Sequence, residues 1–460
     1  MNIFKLRIES DFYSFLLTRT LCCVQTCGKL LYNSDMSKCR RYEKRKIMNI
    51  ILENHFEEFK EEKLPRIKSK EMRQHIINVI EKALNCGNIK YGYIKHKCMS
   101  CDEEYIHGFS CKSKFCTKCG RMYSIKWSEK QAENMLNVKH RHAVFTIPEE
   151  LRNYFYKKRE LLKELQDAVY GVVSHYYKEK VKGNHEVGLI AVIHTFGSDL
   201  KWNPHVHALF TEGGIDKNNK WFKKLSHIPY KYLRKSWQKL VLDIIKNNFK
   251  DRETQKLINR LYKKYNNGFY VNAQRDLTKI KEAAKYIGRY LARPAIAEYR
   301  ISEYDGKNVT FWYENKNPKE KITVKMDALD FIGKLVNHIH PKGFRIVRRY
   351  GLYSRMKNKL SIEIVKLYNF MKQRNIFELI QKQKNKKMSF KERLIETFGI
   401  DPFICTSCGN DMVLWEIWHH KYGLIYDVLD KSNYRNITND IEHVKEIRID
   451  IKESEQICLF

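Results

Sequence analysis

Two short cysteine pairs, Cys98-Met-Ser-Cys101 and Cys116-Thr-Lys-Cys119, constrain this chain more than any other feature. Two such knuckles on tight turns present four thiolates to one point, which is the tetrahedral donor set that zinc takes. The 14 residues between the pairs fall a little short of the usual spacing. Four protein ligands leave no open coordination position, so the expected ion, held by Cys98, Cys101, Cys116 and Cys119, is structural. Cys111, Cys86 and His107 can replace one thiolate or help hold a second ion; a buried cysteine can equally be a small apolar side chain. A later pair, Cys405 and Cys408, precedes His419 and His420. It offers a further Cys2His2 set, unless those histidines are simply surface residues.

Charge narrows the partner. Lys and Arg number 87 against 53 Asp and Glu, a formal balance of +34 over 460 residues. Such a surface favours a polyanion, because each cation brought to a phosphate releases a condensed counterion. Lysine drift in an AT-rich genome would raise the same count without a partner. The 43% hydrophobic content is ordinary for globular domains and excludes wholesale disorder. No apolar run is long enough for a membrane span. The nearest candidate, residues 12–31, is interrupted by Thr18, Arg19, Thr20, Gln25 and Lys29, and it lacks a signal-cleavage pattern. A cytoplasmic location follows as the expectation, with the cysteines as thiols or metal ligands rather than disulfides.

Periodicity divides the rest. Residues 1–47 read as an extension of uncertain status, with Met36 and Met48 as alternative starts. Residues 48–138 combine two helical stretches with the cysteine cluster, as a zinc-binding, DNA-binding module. In 139–353 strand-like runs near 142–147, 187–196, 205–211, 269–273 and 321–326 alternate with helical ones near 160–181, 232–249, 254–265, 277–291 and 329–338. Asp305-Gly306 suggests a hairpin with a type I′ turn. The interleaving predicts an α+β domain with a largely antiparallel sheet flanked by helices. Residues 354–460 read as a helical basic region that carries the second cysteine pair.

The chemistry concentrates in two places. On a strand, residues i and i+2 share a face about 6.5 Å apart, so both imidazoles of His205-Val206-His207 point the same way and can grip one divalent cation. In Lys285-Tyr286-Ile-Gly-Arg289-Tyr290-Leu-Ala-Arg293 the tyrosines stand at i and i+4 on one helix face. Arg289 and Arg293 lie beside them, where a phosphodiester needs positive charge. Taken singly, each motif has a bland alternative in core packing.

Taken in order, the motifs resemble the double-tyrosine HUH transposases of rolling-circle insertion sequences, insertion sequence ninety-one and its relatives. The matching stretches are Ser110-Cys-Lys-Ser-Lys-Phe-Cys116 within the cysteine cluster, Phe145-Thr-Ile-Pro-Glu-Glu-Leu-Arg152, His194-Thr-Phe-Gly197, Asn203-Pro-His-Val-His-Ala208, Tyr286-Ile-Gly-Arg-Tyr290 and Arg349-Tyr-Gly-Leu-Tyr353. A fainter echo follows at Asp401-Pro-Phe-Ile-Cys-Thr-Ser-Cys-Gly409. The resemblance implies an HUH nuclease fold behind a zinc module. It also implies a transposase that cleaves and rejoins single-stranded DNA through a 5′-phosphotyrosine, with Tyr286 and Tyr290 as nucleophiles. His205 and His207 would hold the ion, Mg or Mn by family habit, although imidazole suits transition metals better. His194, on the preceding strand, is the expected third ligand. The implied partners are single-stranded or hairpin DNA ends and target DNA, with no small-molecule cofactor. A plasmid-type replication initiator or relaxase, and a non-catalytic zinc DNA-binding protein, are the competing expectations.

Overall fold

A computed structural model describes residues 47–179, 184–216, 218, 220–224, 228–277, 280–291, 294–316, 319–372, 389, 391–393, 395, 401 and 403–429. In chain order the elements are α1 (Ile47–Glu62), α2 (Lys70–Leu84), β1 (Gly92–Cys98), β2 (Glu104–Gly108), α3 (Thr117–Asn134), β3 (His140–Thr146), α4 (Glu149–Lys157) and α5 (Leu161–Glu179). There follow β4 (His185–Phe196), β5 (Trp202–Asp216), β6 (Phe222–Lys224), α6 (Tyr230–Asn248), α7 (Arg252–Lys264), β7 (Val271–Leu277) and α8 (Ile280–Leu291). The last are β8 (Ile301–Tyr304), β9 (Asn308–Lys316), β10 (Lys319–Asp327), α9 (Ala328–Val336), β11 (Val347–Gly351), α10 (Asn358–Lys372), β12 (Met412–His419) and β13 (Gly423–Asp427). These elements fall into two compact units: one contains Asn85–Cys111 and Met388–Phe460, the other Lys46–Leu84 and Lys112–Lys387.

The larger unit is built on an antiparallel sheet of order β11-β4-β5-β3-β7, with β6 added to β5. β4 and β5 occupy its middle and are buried almost without break, because helices cover both faces and leave no side for polar alternation. On one face Ala143, Phe145, Val206, Ala208 and Phe210 pack on Leu165, Val169 and Val173 of α5 and on Trp237 and Val241 of α6. Each Val, Leu or Phe among them, fully withdrawn from water, contributes roughly 1.5–3 kcal/mol before its entropy cost. Trp237 also donates its indole N–H to the Thr146 carbonyl at 2.7 Å, fixing α6 to the end of β3. On the opposite face Ile190, Val192 and Leu209 pack against Ala283, Ala284 and Ile287 of α8, with Leu352, Tyr353 and Val365 beside them.

A second sheet of this unit, β10-β9-β8, packs Phe311 against Phe331 and Ile332 of α9 and Phe56 and Phe59 of α1. Its β8–β9 connection has three residues, 305–307, with Gly306 at φ +92, not the two-residue type I′ turn expected there. Asp305 caps that turn by accepting from the backbone N–H groups of Lys307 and Asn308 at 3.0 and 2.6 Å.

The smaller unit is a four-stranded antiparallel sheet, order β13-β12-β1-β2. It corrects the reading of the C-terminal region. The helical, basic expectation after Tyr353 describes α10, whereas Met412–His419 and Gly423–Asp427 are strands. β12 pairs with β1 from Gly92↔His419 to Cys98↔Met412, across more than 300 positions of sequence.

Candidate metal centre and tyrosine helix

The His-X-His strand is β5. Its neighbour β4 runs antiparallel with His194 directly opposite His205, while on the other side β3 places Thr146 opposite His205 and Val144 opposite His207. Directly opposed residues share a sheet face, and so do i and i+2. His194, His205 and His207 therefore point to one side, the side on which α8 packs. One ring nitrogen from each lies within 4.8 Å of the other two, and the ring centroids are 4.9–5.4 Å apart. His194 and His207 are buried and His205 is partly exposed.

Hydrogen bonds select which nitrogens face this point. His205 donates Nδ1–H to the Asn203 carbonyl at 2.8 Å, which leaves Nε2 as its ligand atom. His207 Nδ1 lies 3.2 Å from Nε2 of His142, a buried side chain on β3, so one nitrogen donates and the other accepts. That interaction again leaves Nε2 of His207 for a metal. The donor set fits a divalent transition ion: three imidazoles on one face, two with the outer nitrogen already engaged. Among the described residues no carboxylate joins the group, and oxygen-seeking Mg gains little from such ligands.

His142 also reaches the helix. Its ring is stacked with that of His207 at 5.4 Å and stands edge-on to the ring of Tyr286 at 4.7 Å. A line of contacts thus runs from the three-histidine face through His142 to the first tyrosine of α8. Sequence reasoning missed His142. His140-Arg141-His142 is itself a His-X-His on a strand, and the register partner of His142, Leu209, lies on the same face two residues beyond His207. Tyr290 and Arg289 continue the helical backbone, and their side chains lie outside the described residues, as does Arg293 altogether.

α8 is held by a close helix–helix crossing. A Cβ at Gly288 would meet Ser128 Oγ of α3 at 1.8 Å and Ser128 Cβ at 3.1 Å, so only glycine permits this approach. Farther along the sheet, the Arg349-Tyr-Gly-Leu-Tyr353 motif is structural. Arg349 forks onto Gln131 Oε1 of α3 at 3.1 and 2.8 Å. The buried Tyr353 hydroxyl meets His140 Nε2 and accepts from the Leu136 backbone N–H at 3.3 Å.

The cysteines are arranged differently from expectation. The sulfurs of Cys98 and Cys101 group with those of Cys405 and Cys408, within 4.8 Å of one another. Four sulfurs would complete a tetrahedral set, and Cys116 and Cys119, expected beside Cys98 and Cys101, are not in this group. Spacing alone could not reveal this, because a knuckle's partner is chosen by strand pairing. Cys116 and Cys119 begin α3 in the larger unit, as its N-cap and within its first turn. Cys111 donates its backbone N–H to Cys86 Sγ at 3.4 Å. His107 on β2 faces Ile94, and burial lowers its pKa. The Cys2His2 alternative is not what the structure brings together: Cys405 and Cys408 group with Cys98 and Cys101 and not with His419 or His420; His420 Nδ1 bonds the Tyr91 carbonyl at 2.7 Å, and His419 Nδ1 accepts from the Lys421 N–H at 3.0 Å.

Comparisons with known proteins agree with this layout. A family model described as "Putative transposase" matches residues 188–360, which include the three histidines and α8. A second, "Transposase zinc-binding domain", matches residues 51–147. The chain is 26% identical over 362 residues to the transposase for insertion sequence element IS801 of Pseudomonas savastanoi pv. phaseolicola, covering 74% of this chain and 84% of that protein. It is 25% identical over 292 residues to the putative transposase y4qJ of Sinorhizobium fredii, covering 58% and 71%. No solved structure matches. Among the described residues no helix is long and apolar enough to cross a membrane.

Proposed function

Since the chain belongs to the insertion sequence ninety-one family of transposases, we propose that its three-histidine face and Tyr286 together cut and rejoin single-stranded DNA. The observation that carries this reading is the contact of Tyr286 with His142, itself hydrogen-bonded to His207 of the three-histidine group. His194, His205 and His207 would hold a divalent ion, Mn being favoured by the nitrogen ligands and Mg by family habit. Such an ion supplies a Lewis acid that polarises a scissile phosphate.

The residues do the rest. The Tyr286 hydroxyl oxygen attacks phosphorus; a P–O bond to tyrosine forms and the P–O3′ bond breaks. The hydroxyl proton passes to the departing 3′ oxygen, leaving a 5′-phosphotyrosine and a free 3′-hydroxyl. Rejoining reverses the step, with a 3′-hydroxyl of another strand as nucleophile. A protonated phenol is a weak nucleophile, so the attack needs assistance from the groups gathered here. Tyr290, one turn on, is the second nucleophile, so that one tyrosine retains a 5′ end while the other attacks a second strand. Arg289 and Arg293 neutralise the phosphates, and the +34 surface carries the DNA. His142 is a positioning residue: it fixes His207 in the tautomer that presents Nε2 and gives the Tyr286 ring an edge to rest on.

The test is incubation with labelled single-stranded DNA from the element's ends and Mn or Mg, followed by a denaturing gel. A covalent adduct is expected with the wild type and with either single Tyr→Phe variant, and none with Tyr286→Phe, Tyr290→Phe combined. His205→Ala and His207→Ala should remove the adduct while DNA binding persists. An adduct in the double variant sinks the tyrosine assignment. No adduct under any metal condition would favour a non-catalytic DNA-binding protein.

A further inference from the structure

We propose that Cys98, Cys101, Cys405 and Cys408 hold one zinc ion that joins two segments about 300 residues apart, making the C-terminal hairpin an integral part of the zinc module. The family model for the zinc-binding domain ends at residue 147, and neither family model extends past residue 360. The second half of this site therefore lies outside both.

Topology brings the halves together. Cys98 is the last residue of β1, and Cys405–Cys408 immediately precede β12. The two strands are antiparallel neighbours with Cys98 opposite Met412, so both knuckles fall at the same end of the sheet. Cys98 Sγ lies 3.4 Å from Cys408 Sγ, and Cys101 Sγ lies 3.5 Å from Cys405 Sγ. A tetrahedron with Zn–S bonds of about 2.3 Å has sulfur edges of about 3.8 Å. A disulfide requires sulfurs at about 2.05 Å. The spacing suits a shared ion and excludes disulfides in this arrangement.

The two knuckles are also built alike, bond for bond. Asp102 N–H donates to the Cys98 carbonyl at 3.0 Å, and Gly409 N–H to the Cys405 carbonyl at 2.9 Å. Cys98 N–H donates to the Glu103 carbonyl at 2.9 Å, and Cys405 N–H to the Asn410 carbonyl at 2.8 Å. The residue after each second cysteine is left-handed, Asp102 at φ +59 and Gly409 at φ +76. That conformation is unfavourable for a non-glycine side chain, so Asp102 is held there by the turn. Backbone N–H groups point at all four sulfurs: those of Ser100 and Cys101 at Cys98, Glu103 at Cys101, Ser407 and Cys408 at Cys405, and Asn410 at Cys408. The two turns thus present their cysteines in the same way, from matching positions at one end of the sheet.

The experiment uses the full chain and no DNA, so its outcome is independent of the strand-transfer reading. Zinc per chain is measured by native mass spectrometry, and thiol reactivity is mapped by alkylation with and without a chelator. In the zinc-loaded wild type, Cys98, Cys101, Cys405 and Cys408 should be protected together and become reactive together on chelation. Combined Cys405→Ser and Cys408→Ser should remove one equivalent of zinc and expose Cys98 and Cys101. Ready alkylation of Cys405 and Cys408 in zinc-loaded wild type overturns the proposal, and this arm needs no variant to fold. So does a double variant that retains its full zinc with Cys98 and Cys101 protected.

Discussion

His142 touches two neighbours at once, the His207 imidazole of the three-histidine group at 3.2 Å and the Tyr286 ring at 4.7 Å. Outer hydrogen-bond partners of metal-bound histidines typically matter 10–100-fold in affinity. His142→Ala should therefore weaken Mn binding, read by calorimetry, by about 10–100-fold, with DNA affinity nearly unchanged. His142→Gln, which keeps a hydrogen-bonding side chain, should recover part of the loss. Equal Mn affinity in wild type and His142→Ala would leave His142 a packing residue. The contrast with His205 and His207 shows what a sequence can disclose. Those two announce themselves because a strand's period of two places them side by side on one face. His194 was reachable because its strand is the next one back along the chain. His142 is brought to the group by the β3–β5 register, Val144↔His207 and His142↔Leu209, between strands that α4, α5 and β4 separate along the chain.

At the level of elements, the decisive contact is α8 against α3. Gly288 stands two residues after Tyr286, at a crossing where a methyl group would overlap Ser128 Oγ, itself bonded to the Ser124 carbonyl at 2.7 Å. Gly288→Ala should push α8 outward and destabilise the fold by about 1–3 kcal/mol, the usual range for overpacking. Adduct formation should fall more than stability alone explains, because Tyr286 moves with its helix. Adding Ser128→Ala removes the nearest atom and should restore part of both, since contacting residues couple. A melting temperature that is unchanged in Gly288→Ala refutes the close crossing. The long helices and the central strands were legible, since α5, α6, α7, β4 and β5 each carry a clear apolar period or run. The hairpin β12–β13 was not. Met-Val-Leu-Trp-Glu-Ile-Trp-His reads equally as a half-buried helix turn or an edge strand, and only its seven-residue pairing with β1 decides. β11 escaped for a related reason, being five residues long and polar at Arg348 and Arg349.

Across the larger unit, stability should depend on acid through buried neutral histidines. Burial holds His140 and His338 down to about 4 and His340 to about 3. His338 is further satisfied as a neutral ring by Thr195 Oγ1 and the Leu200 carbonyl, both at 3.2 Å. In the unfolded chain these rings take protons near pH 6.5. The folded pKa is the lower one, so their contribution is complete above pH 6.5 and is lost as pH falls toward 4. Each such histidine adds a slope of up to about 1.4 kcal/mol per pH unit in that window. Urea unfolding at pH 7, 6 and 5 should show this decline, and His140→Gln should flatten it; a flat profile in the wild type would contradict the burial.

The arrangement of the smaller unit has a consequence for synthesis. Cys98 and Cys101 leave the ribosome roughly 300 residues ahead of Cys405 and Cys408, which at about 5–20 residues per second is a delay of roughly 15–60 s. During that interval β1 has no β12 to pair with, and two of the four thiols stand without their counterparts. A chain that stops early, by a frameshift or a nonsense codon anywhere before Cys405, cannot close the knuckle pair however well its central sheet folds. The knuckle pair is therefore completed only by a chain that has been read through Cys408.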